Sequence, residues 1–198
     1  VLVIGGGAIG MLAALLLRHL GVDRLVLAEL NPLRRDAVAR HARCETVDPR
    51  ANPLVESSFD VVIDAVGARA TRTQALAAVA PGGVVMHVGL QDWASEIDMR
   101  KLTLAEITLL GTYTYTTADL RATVDALARG AFGDLSWVEE RPLVDGQHGH
   151  RQRDRPALRS RRGKRARELP LQRRRSGRPG GSWLPPAEHG WRCRRRSS

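Results

Sequence analysis

The chain has 198 residues and a formal net charge of +10, but the charge is unevenly distributed. Residues 146–198 hold 17 of the 31 basic side chains and 3 of the 21 acidic ones, which leaves residues 1–145 with a net charge of −4. This distribution excludes an evenly basic nucleic-acid-binding domain, and it predicts a mildly acidic globular domain followed by a basic tail. The length suits one domain of ordinary size with a short appendage.

Cysteine usage and hydropathy favour a protein of the cell interior. Cys44 and Cys193 lie far apart in segments of different composition, so they predict neither a disulfide framework nor a C-x-x-C pair. The most apolar run, Ala8 to Leu17, is too short to span a bilayer and does not follow a charged leader. We therefore expect a cytoplasmic protein with no membrane partner.

The first element in the chain is a buried strand that leads into a glycine motif. The run Val1 to Ile4 is almost wholly apolar, and Gly5, Gly7 and Gly10 follow it in the pattern G-x-G-x-x-G. In this motif the first glycine permits the tight turn, the second lets a pyrophosphate approach the backbone, and the third lets a helix pack close to the sheet. Ala8 and Ile9, within the motif, are also candidate cofactor-binding residues.

The helix after the motif is predicted over Ala8 to Leu20. Its N-terminus would offer free N–H groups and a partial positive charge to phosphates. Apolar residues at helical spacing, together with several further leucines, predict a helix buried over most of its surface. The residues at this spacing are Ile9, Ala13, Leu16 and Leu20.

The second strand is predicted over Arg24 to Ala28, and the acidic residue Glu29 follows it. A carboxylate at this place can accept hydrogen bonds from ribose hydroxyls, and its charge would repel a 2′-phosphate. The sequence therefore favours NAD over NADP.

The next helix begins at Asn31-Pro32. In it Leu33, Ala37 and Val38 are predicted to face the sheet, whereas Arg34, Arg35 and Arg40 face water.

Strands and helices continue to alternate through the rest of the first 145 residues. This alternation predicts an α/β fold, a Rossmann doubly wound parallel sheet of six strands. The further predicted strands are Glu45 to Val47, Phe59 to Ala65, Val84 to Val88 and Ile107 to Leu110, and the further helices are Thr71 to Ala80, a short one around Leu102 to Ala105, and Thr117 to Arg129.

Residues 146–198 have a composition unlike that of the first domain. They contain no Val, Ile, Phe, Tyr or Met, and Arg, Gly, Pro and Ser predominate. Such a segment buries too little apolar surface to offset its ordering entropy, so we predict a disordered tail. Amino-acid sequences of this composition also arise when a GC-rich gene is translated out of frame, and we expect that origin for the tail.

Five segments together resemble the zinc-type medium-chain alcohol dehydrogenase superfamily, specifically its nucleotide-binding domain. The similarity covers roughly residues 1–143, and the GTYTYT stretch is most similar to polyol and threonine dehydrogenases. The segments are VIGGGAIG (3–10), AELNPLR (28–34), FDVVIDAVG (59–67), APGGVVMHVGL (80–90) and EITLLGTYTYTTADLR (106–121).

The resemblance implies roles for further residues of this chain, and it implies a catalytic domain outside the given sequence. It places Arg34 beside the adenosine, and Val66, Val88 and Leu90 on the nicotinamide side. In the family, zinc ligands and catalytic groups come from a domain that precedes this one, so we expect the chain alone to be inactive and to be part of a longer enzyme. That enzyme would act on a small-molecule alcohol or polyol, and in relatives the last strand often pairs between subunits, which predicts a homo-oligomer.

Other classes fit the sequence less well. A flavoprotein shares the glycine motif and the closing Glu, but it would not predict the FDVVIDAVG and APGGVVMHVGL pair. A methyltransferase would place an acid where Val3 stands, and a short-chain dehydrogenase needs a Lys four residues after a Tyr, whereas Thr117 follows Tyr113 and Asp119 follows Tyr115 at that spacing.

A polyanion-binding protein would act through the arginine-rich tail. Out-of-frame translation explains that composition, so nucleic acid is not the expected partner.

Metal binding is not predicted for this chain, and we assign it no catalytic residue. His148, His150 and Cys193 can be grouped on paper, but no scaffold would hold them together. His87 lies in a predicted strand and is interpreted as a packed histidine whose hydrogen bonds are satisfied.

Overall fold

The computed structural model describes residues 1–138 and 142 of the chain. The chain divides into two units, Val1–Leu143 and Val144–Ser198, and the fold below is that of the first. The disorder predicted for residues 146–198 lies outside the described residues and stays a prediction. Among the described residues, no helix has the length and apolar character needed to cross a membrane.

Six strands of the described part form one sheet, and every neighbouring pair is parallel. Their order, β3-β2-β1-β4-β5-β6, reverses beside β1 and confirms the predicted doubly wound Rossmann fold. The strands are Leu2–Ile4 (β1), Val26–Ala28 (β2), Glu45–Val47 (β3), Phe59–Asp64 (β4), Val79–His87 (β5) and Thr108–Gly111 (β6). The helices are Ala8–His19 (α1), Pro32–Ala42 (α2), Arg69–Ala78 (α3), Met99–Leu104 (α4) and Thr117–Ala128 (α5).

The sheet is covered on both faces, and each face has its own apolar core. In β1 the side chains of Leu2 and Ile4 join the cluster that packs against α3, whereas Val3 joins the cluster that packs against α1 and α2. Alternate residues of a strand point to opposite faces, so a short strand that is apolar at every position serves both cores.

The buried face of α1 differs from the predicted one. Gly10, Met11, Ala14 and Leu15 are buried, whereas Ile9, Leu16 and Leu20 are 53%, 38% and 68% exposed. Eight of the twelve residues of α1 are buried or half-buried, but three of the four residues predicted from helical spacing, Ile9, Leu16 and Leu20, are exposed. Gly10 determines which side of α1 packs against the sheet, because the helix can approach the sheet most closely where a residue has no Cβ.

The inward and outward faces of α2 also differ in part from expectation. Val38 is buried as predicted, but Leu33 is 66% exposed. Arg35, which was predicted to face water, is only 20% exposed in its side chain and hydrogen-bonds to the chain after β2. The helix begins as predicted, with the Asn31 side chain accepting from the amide of Leu33 at 2.9 Å.

Strand β5 begins five residues earlier than predicted. Val79 pairs with Phe59 and Val84 pairs with Val61, so the register shifts between these two pairs. The intervening Pro81-Gly82-Gly83, which was expected to separate a helix from a strand, is an irregularity within the strand, with Gly82 at φ +73°.

Candidate cofactor site

The glycine loop between β1 and α1 is closely packed at the first and third glycines of its motif, Gly5 and Gly10, and open at the second, Gly7. Gly5 has φ +100°, and a Cβ on Gly10 would overlap the carbonyl oxygen of Gly5. By contrast, nothing lies within 4 Å of the position that a Cβ on Gly7 would occupy. The first and third glycines therefore hold the loop against the helix, and the second leaves space above the backbone.

The N-terminus of α1 faces this space without a side-chain cap. Gly7 is the N-cap residue, and it has no side chain that could accept from the first amides. Helix N-terminal N–H groups and the helix dipole attract anions, so this end of α1 suits a phosphate group. Ala8 and Ile9, both exposed, form the first turn beside it.

Glu29, at the carboxyl end of β2, lies against the same glycine loop. Its Oε2 accepts from the amide of Gly6 at 2.7 Å, and its Oε1 accepts from the amide of Asn31 at 2.8 Å. The Glu29 side chain is 9% exposed. Each carboxylate oxygen has more than one lone pair, so both oxygens retain capacity to accept from a ligand hydroxyl.

Two further arginines, which were not among the predicted site residues, surround the end of β2. Arg35 donates to the carbonyls of Glu29 and Leu30 at 2.7 and 2.9 Å, and to Asp48 at 3.2 Å. Arg50 donates to Asp48 at 2.7 and 3.0 Å, and these hydrogen bonds, followed by the Arg50 amide, hold the pKa of Asp48 well below its usual range. The sequence signal for this cluster was Asp48, an acid that directly follows β3.

Arg34, which the resemblance places beside the adenosine, is only loosely held. Its guanidinium lies 3.8 Å from Glu29 Oε2, and its side chain is 59% exposed. Contacts of this kind contribute little to stability, so Arg34 is free to reorient around a ligand.

Asp64 organises the loops that follow β4 and β5, and it was not among the predicted site residues. It is fully buried, and its Oδ1 accepts from the amides of Val66 and Gly67 at 3.0 and 2.9 Å. Its carbonyl accepts from the amides of Val88 and Gly89, both at 3.0 Å. The sequence signal for this role was the position of Asp64, an acid directly after the apolar run Val61-Val62-Ile63. Asp64 thus links the two loops that carry the predicted nicotinamide-side residues.

The structure brings these loops next to the glycine loop. A Cβ on Gly5 would lie 2.5 Å from Val66 Cγ2, and a Cβ on Gly67 would overlap the carbonyl oxygen of Gly89. Val66 and Val88 are half-buried, whereas Leu90 is 75% exposed. The site therefore extends from Glu29 across Gly7 to Val66 and Val88, along the carboxyl ends of β2, β1, β4 and β5.

Within the described residues, no group of three or more His, Cys, Asp and Glu side chains is placed to hold a metal ion. His148, His150 and Cys193 lie outside those residues. His87, interpreted as a packed histidine, is 23% exposed in its side chain, and its Nδ1 lies 3.4 Å from Asp64 Oδ2.

Comparisons with known proteins agree with this geometry. The family model described as zinc-binding dehydrogenase matches residues 8–129. L-threonine 3-dehydrogenase of Ruegeria pomeroyi is 29% identical over 123 residues, which cover 57% of this chain and 36% of that protein. The chain thus spans little more than a third of the length of this curated relative.

Two solved structures show the same fold. Acetophenone reductase from Geotrichum candidum, in complex with NAD, superposes with a TM-score of 0.70 at 23% identity, covering 80% of this chain and 46% of its own. A protein of Sinorhizobium meliloti that is described as a zinc-binding dehydrogenase and was solved with NADP gives a TM-score of 0.59 at 29% identity, covering 66% and 41%.

The fold and the glycine loop define a dinucleotide-binding domain. The chain belongs to the zinc-binding dehydrogenase family, within the zinc-type medium-chain alcohol dehydrogenase superfamily. It corresponds to the nucleotide-binding part of such an enzyme.

Proposed function

We propose that this chain binds NAD and serves as the nucleotide-binding part of an NAD-dependent dehydrogenase that transfers hydride between a secondary alcohol or polyol and the nicotinamide. The observation that carries the proposal is the place of Glu29, a carboxylate held against an open glycine loop at the end of β2. NAD would supply the hydride acceptor. The residues of this chain bind and orient it.

Each part of the site has a separate binding task. The uncapped N-terminus of α1 and the open side of Gly7 accept the pyrophosphate. Glu29 accepts hydrogen bonds from the ribose hydroxyls, and Arg34 covers the adenosine side. Val66, Val88 and Leu90 line the nicotinamide end, where Asp64 holds the backbone of the first two.

Charge at the ribose end favours NAD over NADP. The Glu29 carboxylate would repel a 2′-phosphate, and Arg35 and Arg50 are already engaged with Asp48 and backbone carbonyls. Arg34 is therefore the arginine at this end of the site that is free to meet a 2′-phosphate, and its contact with Glu29 limits that role.

No step of the proposed reaction is assigned to a metal held by the described residues, since they offer no ligand set for zinc. The catalytic acid and base are likewise not assigned to this chain. The proposed alcohol or polyol class rests on the resemblance, and the similarity to an L-threonine 3-dehydrogenase supports it. The cytoplasmic location expected from the cysteine content stays a prediction.

A second copy of the chain is the proposed protein partner. β6 pairs with β5 on one side, and all four of its residues are exposed. Leu109 and Leu110 are 39% and 46% exposed, which is unusual for an edge strand without a partner. We infer that β6 pairs with its equivalent in a second copy, as the family resemblance implies.

Calorimetric titration of the full chain with NAD, NADP and FAD tests the proposal. We expect saturable binding of NAD, weaker binding of NADP and none of FAD. A preference for FAD would favour the flavoprotein alternative, and absence of binding to all three in a folded sample would contradict the proposed function. Nucleic-acid binding that is lost on truncation at Asp145, while NAD binding is unchanged, would identify a separate polyanion-binding function of the tail.

A further inference from the structure

A cavity lies beside the candidate cofactor site, between α3, the strands β4 to β6 and the segment 93–97. Its volume is about 480 Å³, which is within the range of small-molecule sites. It adjoins the candidate cofactor site at Asp64, which holds the loops after β4 and β5, but neither the glycine loop nor Glu29, Val66, Val88 or Leu90 lines it.

The walls of this cavity are mainly apolar. Leu76 comes from α3, Val85 from β5, Ile97 from the segment before α4 and Leu109 from β6. The exposed ring of Trp93 also lines the cavity. Surfaces of this kind favour an aliphatic or aromatic body, because burying such a body removes apolar surface from water.

One cation lines the cavity, and it has no anionic partner in the described part of the chain. Arg72 is half-buried and donates to Ser95 Oγ at 3.1 Å and to the carbonyl of Asp92, which are neutral acceptors. Among the described residues, no carboxylate forms a salt bridge with its guanidinium. A half-buried guanidinium gains most from a carboxylate, which it can bind through two parallel hydrogen bonds.

Asp64 is the acid that lines the cavity, and it forms no salt bridge with Arg72. Asp64 is fully buried, and its oxygens accept from the amides of Val66 and Gly67 and from the Thr71 hydroxyl. His87 Nδ1 lies 3.4 Å from Asp64 Oδ2. The charge of Asp64 is thus engaged by its own neighbours, while the charge of Arg72 is left for a ligand.

We propose that this cavity is a binding site for a small monocarboxylate with an apolar or aromatic body, whose carboxylate pairs with Arg72. A single guanidinium matches one negative charge. The walls at Leu76, Val85 and Ile97 exclude a strongly hydrated polyanion, since its remaining charges would lose water without gaining partners.

The test is titration of the full chain with benzoate, followed by calorimetry or ligand-observed NMR. Benzamide has the same ring without the charge, and acetate has the charge without the ring. We expect saturable binding of benzoate and binding at least about tenfold weaker for both of the others, since a charge-assisted hydrogen bond and ring burial each contribute on this scale.

Variants of α3 provide the matched control. Arg72→Met keeps the apolar stem and removes the charge, whereas Arg69→Met removes an exposed charge from the same helix outside the cavity. We expect about tenfold weaker benzoate binding for the first and no change for the second. Ser95→Ala, which removes the hydrogen bond from Arg72 to this loop but not the charge, should retain binding.

Three results would overturn the proposal. They are equal binding of benzoate and benzamide, unchanged binding by Arg72→Met, and no saturable binding of benzoate by the folded wild-type chain. Binding to the basic tail would persist in Arg72→Met, so it counts as the second of these. Arg72→Lys keeps a cation at this position and should bind benzoate more tightly than Arg72→Met, which provides the same test if Arg72→Met does not fold.

Discussion

The Glu29 carboxylate accepts a hydrogen bond from the amide of Gly6 at 2.7 Å, which ties the end of β2 to the glycine loop. A Cβ on Gly6 would lie 3.1 to 3.3 Å from Glu29 Cβ, Cγ and Oε2, so a larger residue at this position would require the Glu29 side chain to shift by a few tenths of an ångström. The middle residue of the GGG run is outside the G-x-G-x-x-G positions, yet it brings the proposed ribose-binding acid against the loop.

Gly6→Ala should displace the Glu29 side chain, because the added methyl group is closer to it than ordinary van der Waals contact allows. We expect NAD affinity to fall several-fold, with little change in NADP affinity, since only NAD binding depends on the acid. Titration of both nucleotides measures this. Equal losses for the two would show that the loop itself, rather than Glu29, had been disturbed.

Gly7→Ala and Gly10→Ala should separate binding from stability. A methyl group on Gly7 meets nothing within 4 Å, so the free energy of unfolding should change little while NAD binding is strongly weakened. A methyl group on Gly10 would overlap the Gly5 carbonyl, and we expect a loss of about 2 kcal/mol or more in stability. Urea unfolding of both variants distinguishes the two. A stable Gly10→Ala variant would contradict the packing role.

Asp64→Ala should be strongly destabilising, because it leaves the buried amide of Gly67 and the neighbouring Val66 amide without their acceptor. We expect a loss of about 3 kcal/mol in the free energy of unfolding. Asp36→Ala, on the exposed surface of α2, is the control and should change stability by less than about 0.5 kcal/mol. Similar urea midpoints for the two variants would refute the role of Asp64.

Asp48 should contribute stability that depends on pH. Its hydrogen bonds from Arg50 lower its pKa in the folded state, so its contribution is present above the ordinary carboxyl pKa of about 4 and is lost as pH falls through the lower folded value. Asp48→Asn should therefore lower the urea midpoint at pH 7, and its difference from wild type should shrink in acid below about pH 4. A difference that does not vary with pH would exclude this linkage.

Leu110→Lys tests the proposed pairing through β6. Lysine on an edge strand opposes strand pairing, so the variant should sediment as a monomer at concentrations where the wild type forms a dimer. Thr73→Lys adds the same charge on α3 and should leave the dimer intact. A monomeric wild type, or a dimeric Leu110→Lys variant, would contradict the inferred partner.

Much of the fold could be predicted because its signals are local. Each of the apolar runs that form β1, β2 and β4, the glycine motif and the Asn31-Pro32 helix start lies within a few residues, and the structure has them where the sequence indicates. The register of β5 could not be predicted, because Val79 joins the strand by pairing with Phe59 across the sheet. Tertiary pairing thus overrides the local turn signal of Pro81-Gly82-Gly83.

The candidate site shows the same division. Glu29 and the glycines follow a linear motif, so they could be named from the sequence, whereas Asp64 and Arg35 act through contacts between segments that only the fold brings together. The face of α1 was predicted from hydrophobic spacing, but the close approach at Gly10 turned Ile9 and Leu16 outward. Hydrophobic spacing alone could not show which of the two apolar faces of α1 packs against the sheet.

The most direct test of the central claim is the ratio of NAD to NADP affinity in wild type and in Glu29→Ala, with Glu45→Ala, an exposed acid on β3, as the control. We expect the wild type to prefer NAD, Glu29→Ala to bind NAD about tenfold more weakly and to lose the preference, and the control to match wild type. An unchanged ratio in a folded Glu29→Ala variant would contradict the assignment of Glu29 as the ribose-binding acid.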